Sequence, residues 1–220
     1  MSTGIAIQPY AIFDMDGTLV DSMWGWNSVY IEFLTAHGAG AYAKEIVDNT
    51  AHLTTYESAV LFRDRLSLDI SASDIAVALD GRMKELYQKE ISEKPGVRAW
   101  LEQLRNDGVH MCVVSSTPEP LICVCLERLG LIDIFSFILS CDTIGKGKDE
   151  PDAYLAAAKR MGATPSETAV YEDSPTALMT AKKAGFYAVA VYDDSAASQW
   201  KEMCKEANAA VLDWRKITKG

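Results

Sequence analysis

Residues 10–13, Tyr-Ala-Ile-Phe, form a short apolar run that breaks at Asp14 and gives way to a polar stretch with Gly17 and Thr18. A run this short, bounded by turn formers, predicts a buried strand. The period then changes. Trp24, Trp26, Val29, Tyr30, Phe33 and Leu34 recur at near-helical spacing and stop at Gly38, predicting a helix over 24–37. Further helices are expected at 42–50, at 54–66 and from Ser71 to Ile91, the last opening on a Ser71–Asp74 capping pair. Residues 23–92 therefore read as an all-helical unit of about four helices.

From Pro95 onward the pattern alternates. Apolar runs predict strands at 109–114, 136–140, 168–171, 186–191 and 209–212. Helices are expected from Val97 to Gly108, at 121–130, at 151–162, up to Gly185 and at 196–207. Several of these helices stop at a glycine ahead of the next strand, as a left-handed C-terminal cap requires. Such alternation predicts an α/β fold, a doubly wound parallel sheet covered on both faces, which the first strand must join. The domain reading is a core of residues 1–22 and 93–220 with a helical insert of residues 23–92.

Composition narrows the function. Apolar residues make up 49% of the 220 and charged residues 24%, ordinary for a globular chain. Acidic residues outnumber basic ones 31 to 21, a formal charge of −10 that argues against nucleic acid or an anionic membrane as partner. No apolar run approaches the ~18 residues a bilayer span needs, and the first residues carry no secretory signal pattern. Cys112, Cys123, Cys125, Cys141 and Cys204 are odd in number and mostly apolar in context, as expected of reduced core thiols in a cytoplasmic protein.

Chemistry collects at the predicted strand ends, where open parallel sheets bind their ligands. Asp14 and Asp16, two apart on an extended chain, point the same way, and burying both is costly without a cation or reacting group beside them. That pair suits a Mg²⁺-assisted nucleophilic carboxylate with a second carboxyl group for proton transfer. Ser115, Ser116 and Thr117 follow the second strand with hydroxyls and backbone donors suited to a phosphate. The segment after strand 136–140 offers Lys146 and Lys148, and strand 168–171 runs into Glu172 and Asp173, which suit a hard cation.

In this order, these signals resemble the four motifs of the haloacid dehalogenase-like superfamily, with the helical insert where that superfamily carries a C1-type cap. The resemblance implies a Rossmann-like core and a Mg²⁺-dependent phosphatase acting on a small phosphorylated metabolite. It implies that Asp14 attacks phosphorus and becomes an aspartyl phosphate, while Asp16 protonates the leaving oxygen and then activates water. Ser115, Ser116 and Lys148 would hold the phosphoryl group. Mg²⁺ would be bound by Asp14, the Asp16 main-chain carbonyl and Asp173, with Glu172 steering a metal-bound water. Asp16 speaks for phosphate esters, since dehalogenating relatives do not need this second acid.

Two departures stand out. The third motif reads Lys148-Asp149-Glu150-Pro151, with two acids where relatives often carry a proline and a small residue, which leaves Lys146 as a substitute lysine. The insert lacks the Gly-x-Ser/Thr-Arg signature of sugar phosphomutases and phosphoglycolate phosphatases; its matching stretch is 50–56. A phosphomutase using the same phosphoaspartate is therefore the alternative, and a non-catalytic phosphate- or metal-binding regulator ranks below both. Trp24 and Trp26 are expected to pack between insert and core. His37, His52 and His110 show no ligand spacing, and Arg63 and Arg65 read as a solvated helix face.

Overall fold

A computed structural model describes residues 4–48, 50 and 53–219, the Lys219 side chain excepted. Its central sheet holds β1 (Tyr10–Phe13), β2 (His110–Ser115), β3 (Ile138–Ser140), β4 (Thr168–Glu172), β5 (Tyr187–Val191) and β6 (Ala209–Val211). All are parallel, in the order β3-β2-β1-β4-β5-β6. The chain winds to one side of β1 and then returns to its other side. This puts the topological switch between β1 and β4, where Phe13 lies opposite Tyr171. The next residues, Asp14 and Glu172, are thereby brought side by side.

The strands are apolar throughout because both faces are covered. On one face Phe13 stacks on Tyr171 at 4.3 Å between centroids, with Trp214 tilted against both. On the other, Ile12, Cys112, Val114 and Val170 pack on Ala153, Tyr154, Ala157 and Ala158. Those four alanine and tyrosine positions belong to α8 (Asp152–Met161).

Between β1 and β2 the chain forms α1 (Met23–Ala36), α2 (Ala43–Val47), α3 (Thr55–Leu66) and α4 (Ala72–Lys89), followed by α5 (Val97–Asn106). Thr54 and Glu57 build a reciprocal capping box on α3, and Ser71 caps α4. Tyr30 packs edge-on against Phe62 at 5.1 Å, and Leu34, Ile75, Leu79 and Met83 complete this apolar centre. The helical segment leaves and rejoins the sheet through an antiparallel pair, Val20–Asp21 with Ser92–Glu93. Its long helix α4 lies against α6 (Glu119–Leu129).

The structure corrects several boundaries. The helix expected at 42–50 is limited to α2, and Ala51 and His52 lie outside the described residues. A four-residue helix, α7 (Cys141–Ile144), follows β3 at once, capped by Ser140. After β4 comes α9 (Pro175–Lys183). The helix expected over 196–207 divides into a 3₁₀ turn at Asp194–Ala196 and α10 (Trp200–Glu206), because Asp193 accepts from the Ser195 backbone at 2.9 Å and tightens the chain there. Among the described residues, no helix is long and apolar enough to cross a membrane.

Candidate functional site

Every strand end that the sequence singled out opens into one cavity of about 700 Å³. Asp14, Asp16, Ser115, Ser116, Lys148, Glu172 and Asp173 all line it. The Asp14 backbone still donates to Tyr171 at 3.0 Å, so its carboxylate is held by the sheet rather than by a free loop. Asp14 is buried, and its Oδ1 accepts from the Lys148 ammonium. Its Oδ2 is buried with no hydrogen-bond partner among the described residues. An orphaned carboxylate oxygen facing a cavity is costly unless a ligand completes it.

Lys148 sits between two carboxylates, reaching Glu172 Oε1 at 2.6 Å as well as Asp14. Burial alone would depress its ammonium, but Asp14 and Glu172 outweigh that and hold it above the ordinary lysine range. Glu172 is further fixed by Tyr154, whose hydroxyl donates to Oε1 at 2.9 Å, and by the Ser174 backbone on Oε2 at 3.1 Å. Asp149 and Glu150 are exposed to solvent, and Lys146 pairs with Asp152 at the surface. Lys148, not Lys146, occupies the site.

Asp16 is surrounded by hydroxyls. Its Oδ1 accepts from Ser22 at 2.6 Å and Tyr87 at 2.5 Å, and its Oδ2 from Thr117 at 2.8 Å. The Tyr87 hydroxyl in turn accepts from the Trp26 indole at 3.0 Å. Ser115 closes β2, and its hydroxyl accepts from the Thr117 backbone at 3.1 Å, shaping the turn ahead of α6.

Asp14, Glu172 and Asp173 each offer a carboxylate oxygen within 4.8 Å of the others. Burial pushes Asp14 up to about 7 and Asp173 well above the usual carboxylate range, and neighbouring carboxylates add to both. Lys148 works against this at Asp14 and Lys94 at Asp173. Three crowded oxygen donors, one atom of them orphaned, fit a hard divalent cation that would neutralise them. The Asp16 carboxylate stands apart from this group, engaged by its three hydroxyls.

The remaining candidates separate. Trp26 is buried against Tyr30, whereas Trp24 is 45% exposed and lines the cavity with Asn27, Lys44 and Asp48. His37 bonds the Phe33 carbonyl and His110 stacks on Tyr10, both within local packing. Arg63 and Arg65 pair with Asp64 and Glu45 on the helical surface. Ser22, Tyr87 and Tyr154 escaped the sequence reading. Tyr87 falls on the apolar stripe of α4 and Tyr154 on that of α8, and nothing in that spacing reveals the direction of a hydroxyl.

The family model for haloacid dehalogenase-like hydrolases matches residues 11–191. The phosphorylated carbohydrates phosphatase of Thermotoga maritima is 26% identical over 174 residues, 79% of this chain and 80% of its own. Hexitol phosphatase A of Escherichia coli is 28% identical over 190 residues, covering 82% and 81%. Among solved structures, CbbY from Rhodobacter sphaeroides in complex with phosphate superposes with a TM-score of 0.81, covering 96% of each chain at 20% identity. That last likeness speaks for the fold alone.

Proposed function

This chain belongs to the haloacid dehalogenase-like hydrolase family, and we propose that it is a Mg²⁺-dependent phosphatase working through an aspartyl phosphate. The observation that carries the reading is Asp14: a sheet-anchored carboxylate with one oxygen on Lys148 and the other unpartnered beside the cavity. Asp14 attacks phosphorus as the ester P–O bond breaks, and Asp16 passes a proton to the departing alcohol. Water then attacks the aspartyl phosphate, Asp16 takes up its proton, and phosphate leaves with Asp14 restored. Lys148 and the Ser115–Ser116 turn hold the phosphoryl oxygens throughout.

Asp14, Asp173 and the Asp16 main-chain carbonyl would hold Mg²⁺, with Glu172 behind them. When bound it would offset the repulsion between a carboxylate nucleophile and a phosphate dianion. In this reading residues 1–22 and 93–220 are the catalytic core and 23–92 a helical cap over the cavity, whose closure shapes specificity. The relatives that act on phosphorylated carbohydrates and hexitols support a small phosphorylated carbohydrate or polyol as substrate.

The test is phosphate release from a panel of metabolite phosphates with Mg²⁺, comparing the parent with Asp14→Asn and with chelator. Turnover that disappears in both supports the reading. Turnover that survives Asp14→Asn refutes it. Bisphosphate-primed isomerisation with no net phosphate release would instead identify a phosphomutase.

A further inference from the structure

The inserted helices reach the Asp16 carboxylate through the Tyr87 side chain. Tyr87 stands on the last turn of α4, fully buried, and is held at both ends. Its carbonyl accepts from Arg128 Nε at 2.5 Å, and the same guanidinium bonds the Ile91 carbonyl. Arg128 belongs to α6 of the core. It therefore satisfies the Tyr87 carbonyl, which the C-terminal end of α4 leaves open, and the Ile91 carbonyl just past the helix, which pins that end to the core. At the other end the Tyr87 hydroxyl takes the Trp26 indole proton and donates to Asp16 Oδ1.

The donors on Asp16 are divided unequally. Among the described residues, Oδ1 accepts from Ser22, at the start of α1, and from Tyr87, whereas Oδ2 accepts only from Thr117 of the core. Two short donors saturate Oδ1, and Oδ2 retains room for a proton. The donors on Oδ1 stand at the two ends of the helical segment. An ester whose alcohol leaves with a proton needs that proton on one defined oxygen of Asp16.

We propose that Tyr87 is a positioning residue. It fixes Asp16 so that Oδ2 exchanges the proton, and it does so only while Arg128 keeps the end of α4 docked on α6. Docking of the helical segment and delivery of the leaving-group proton are thereby coupled. The proposal rests on Asp16 serving as the acid and base described above.

The experiment compares the best alkyl phosphate of the panel with p-nitrophenyl phosphate, whose leaving group departs without a proton. Parent, Tyr87→Phe, Arg128→Met, Asp16→Asn and Tyr87→Phe/Asp16→Asn enzymes are assayed on both esters. In single turnover, Tyr87→Phe is expected to slow release of the alcohol about 10–100-fold, to leave KM and the burst of p-nitrophenol nearly unchanged, and to slow hydrolysis of the aspartyl phosphate, where Asp16 is the base, alike for both esters. Arg128→Met should show the same selective loss at smaller size. The double variant should be no worse than Asp16→Asn alone, since residues acting through one group are not additive.

Equal losses in the leaving-group release step on both esters, or additivity with Asp16→Asn, overturn the role of Tyr87. An Asp16→Asn enzyme that spares the alkyl ester refutes instead the assignment of Asp16. If the parent turns over neither ester, the phosphatase reading falls and the proposal falls with it.

Discussion

Gly17 offers a direct test of how closely the site is built. Its backbone is left-handed, with φ of +79°, and a Cβ placed there would stand 2.2 Å from Asp173 Oδ2 and 2.7 Å from Asp173 Cγ. Ordinary contact is about 3.5 Å, so Gly17→Ala requires the carboxylate to retreat by roughly 1 Å. Asp173 has nowhere easy to go: it is buried, accepts from Thr18 at 3.2 Å, and on its other side meets Asp14 and Glu172. The left-handed backbone adds about 1–2 kcal/mol for a residue with a Cβ. For a chain of this size that lowers Tm by about 2–8 °C. Displacing a cation ligand by roughly 1 Å should cost on the order of 10²-fold in kcat/KM. The assays are thermal unfolding followed by circular dichroism, with and without Mg²⁺, and phosphate release. The parent is expected to gain Tm on adding Mg²⁺, and the variant should fold, melt earlier, show no such gain, and turn over slowly. A variant with parental Tm and activity within about threefold would show that Asp173 has slack and that the geometric argument is wrong.

Lys148→Met leaves Asp14 and Glu172 facing one another without their buried cation, so it should abolish phosphate release and cost about 3–5 kcal/mol in urea unfolding without Mg²⁺. Phe62→Ala empties the centre of the helical segment and should destabilise it by about 3–5 kcal/mol, read as lost helical signal at lower urea. Asp80→Asn tests a charge outside the site. Burial raises the Asp80 carboxyl to about 6 from 3.8, against a hydrogen bond from Thr55, and its Oδ1 has no hydrogen-bond partner among the described residues. A carboxyl raised in the folded state stabilises fully below its unfolded value, and that contribution is lost as pH rises through about 6. Asp80→Asn should therefore melt above the parent at neutral pH, with the difference vanishing as pH falls toward 3.8.

What the sequence disclosed follows from how far each signal acts. Asp14 and Asp16 were legible because two acids ending an apolar strand are a local contradiction that calls for a ligand. The strand–helix alternation was legible because each element has its own period, and so was the entry of the first strand into the sheet; its central place there, and the switch it creates, came only with the structure. The donors to Asp16 were not legible. Tyr87 lies 71 positions away and Thr117 101, and they meet only after the sheet forms and α4 docks. Glu172 was expected beside the cation site, and it lies there with Asp14 and Asp173; its bonds to Lys148 and Tyr154, made across the fold, were not legible. The four residues of α7 are too few to show a period.

Val20 and Asp21 lie hydrogen-bonded beside Glu93 and Ser92, so the helical segment begins and ends at neighbouring points. A detour of this kind is topologically free: it can lengthen, shorten or be exchanged for another without re-registering a single strand of the sheet. Joining Asp21 to Ser92 by a tight turn would give a chain stripped to its α/β half. Transplanting the segment at the same two points would carry its cavity wall onto a related sheet. On the reading proposed above, the pair of short strands would act as a socket, through which the wall over the carboxylates could be exchanged while the sheet keeps its register.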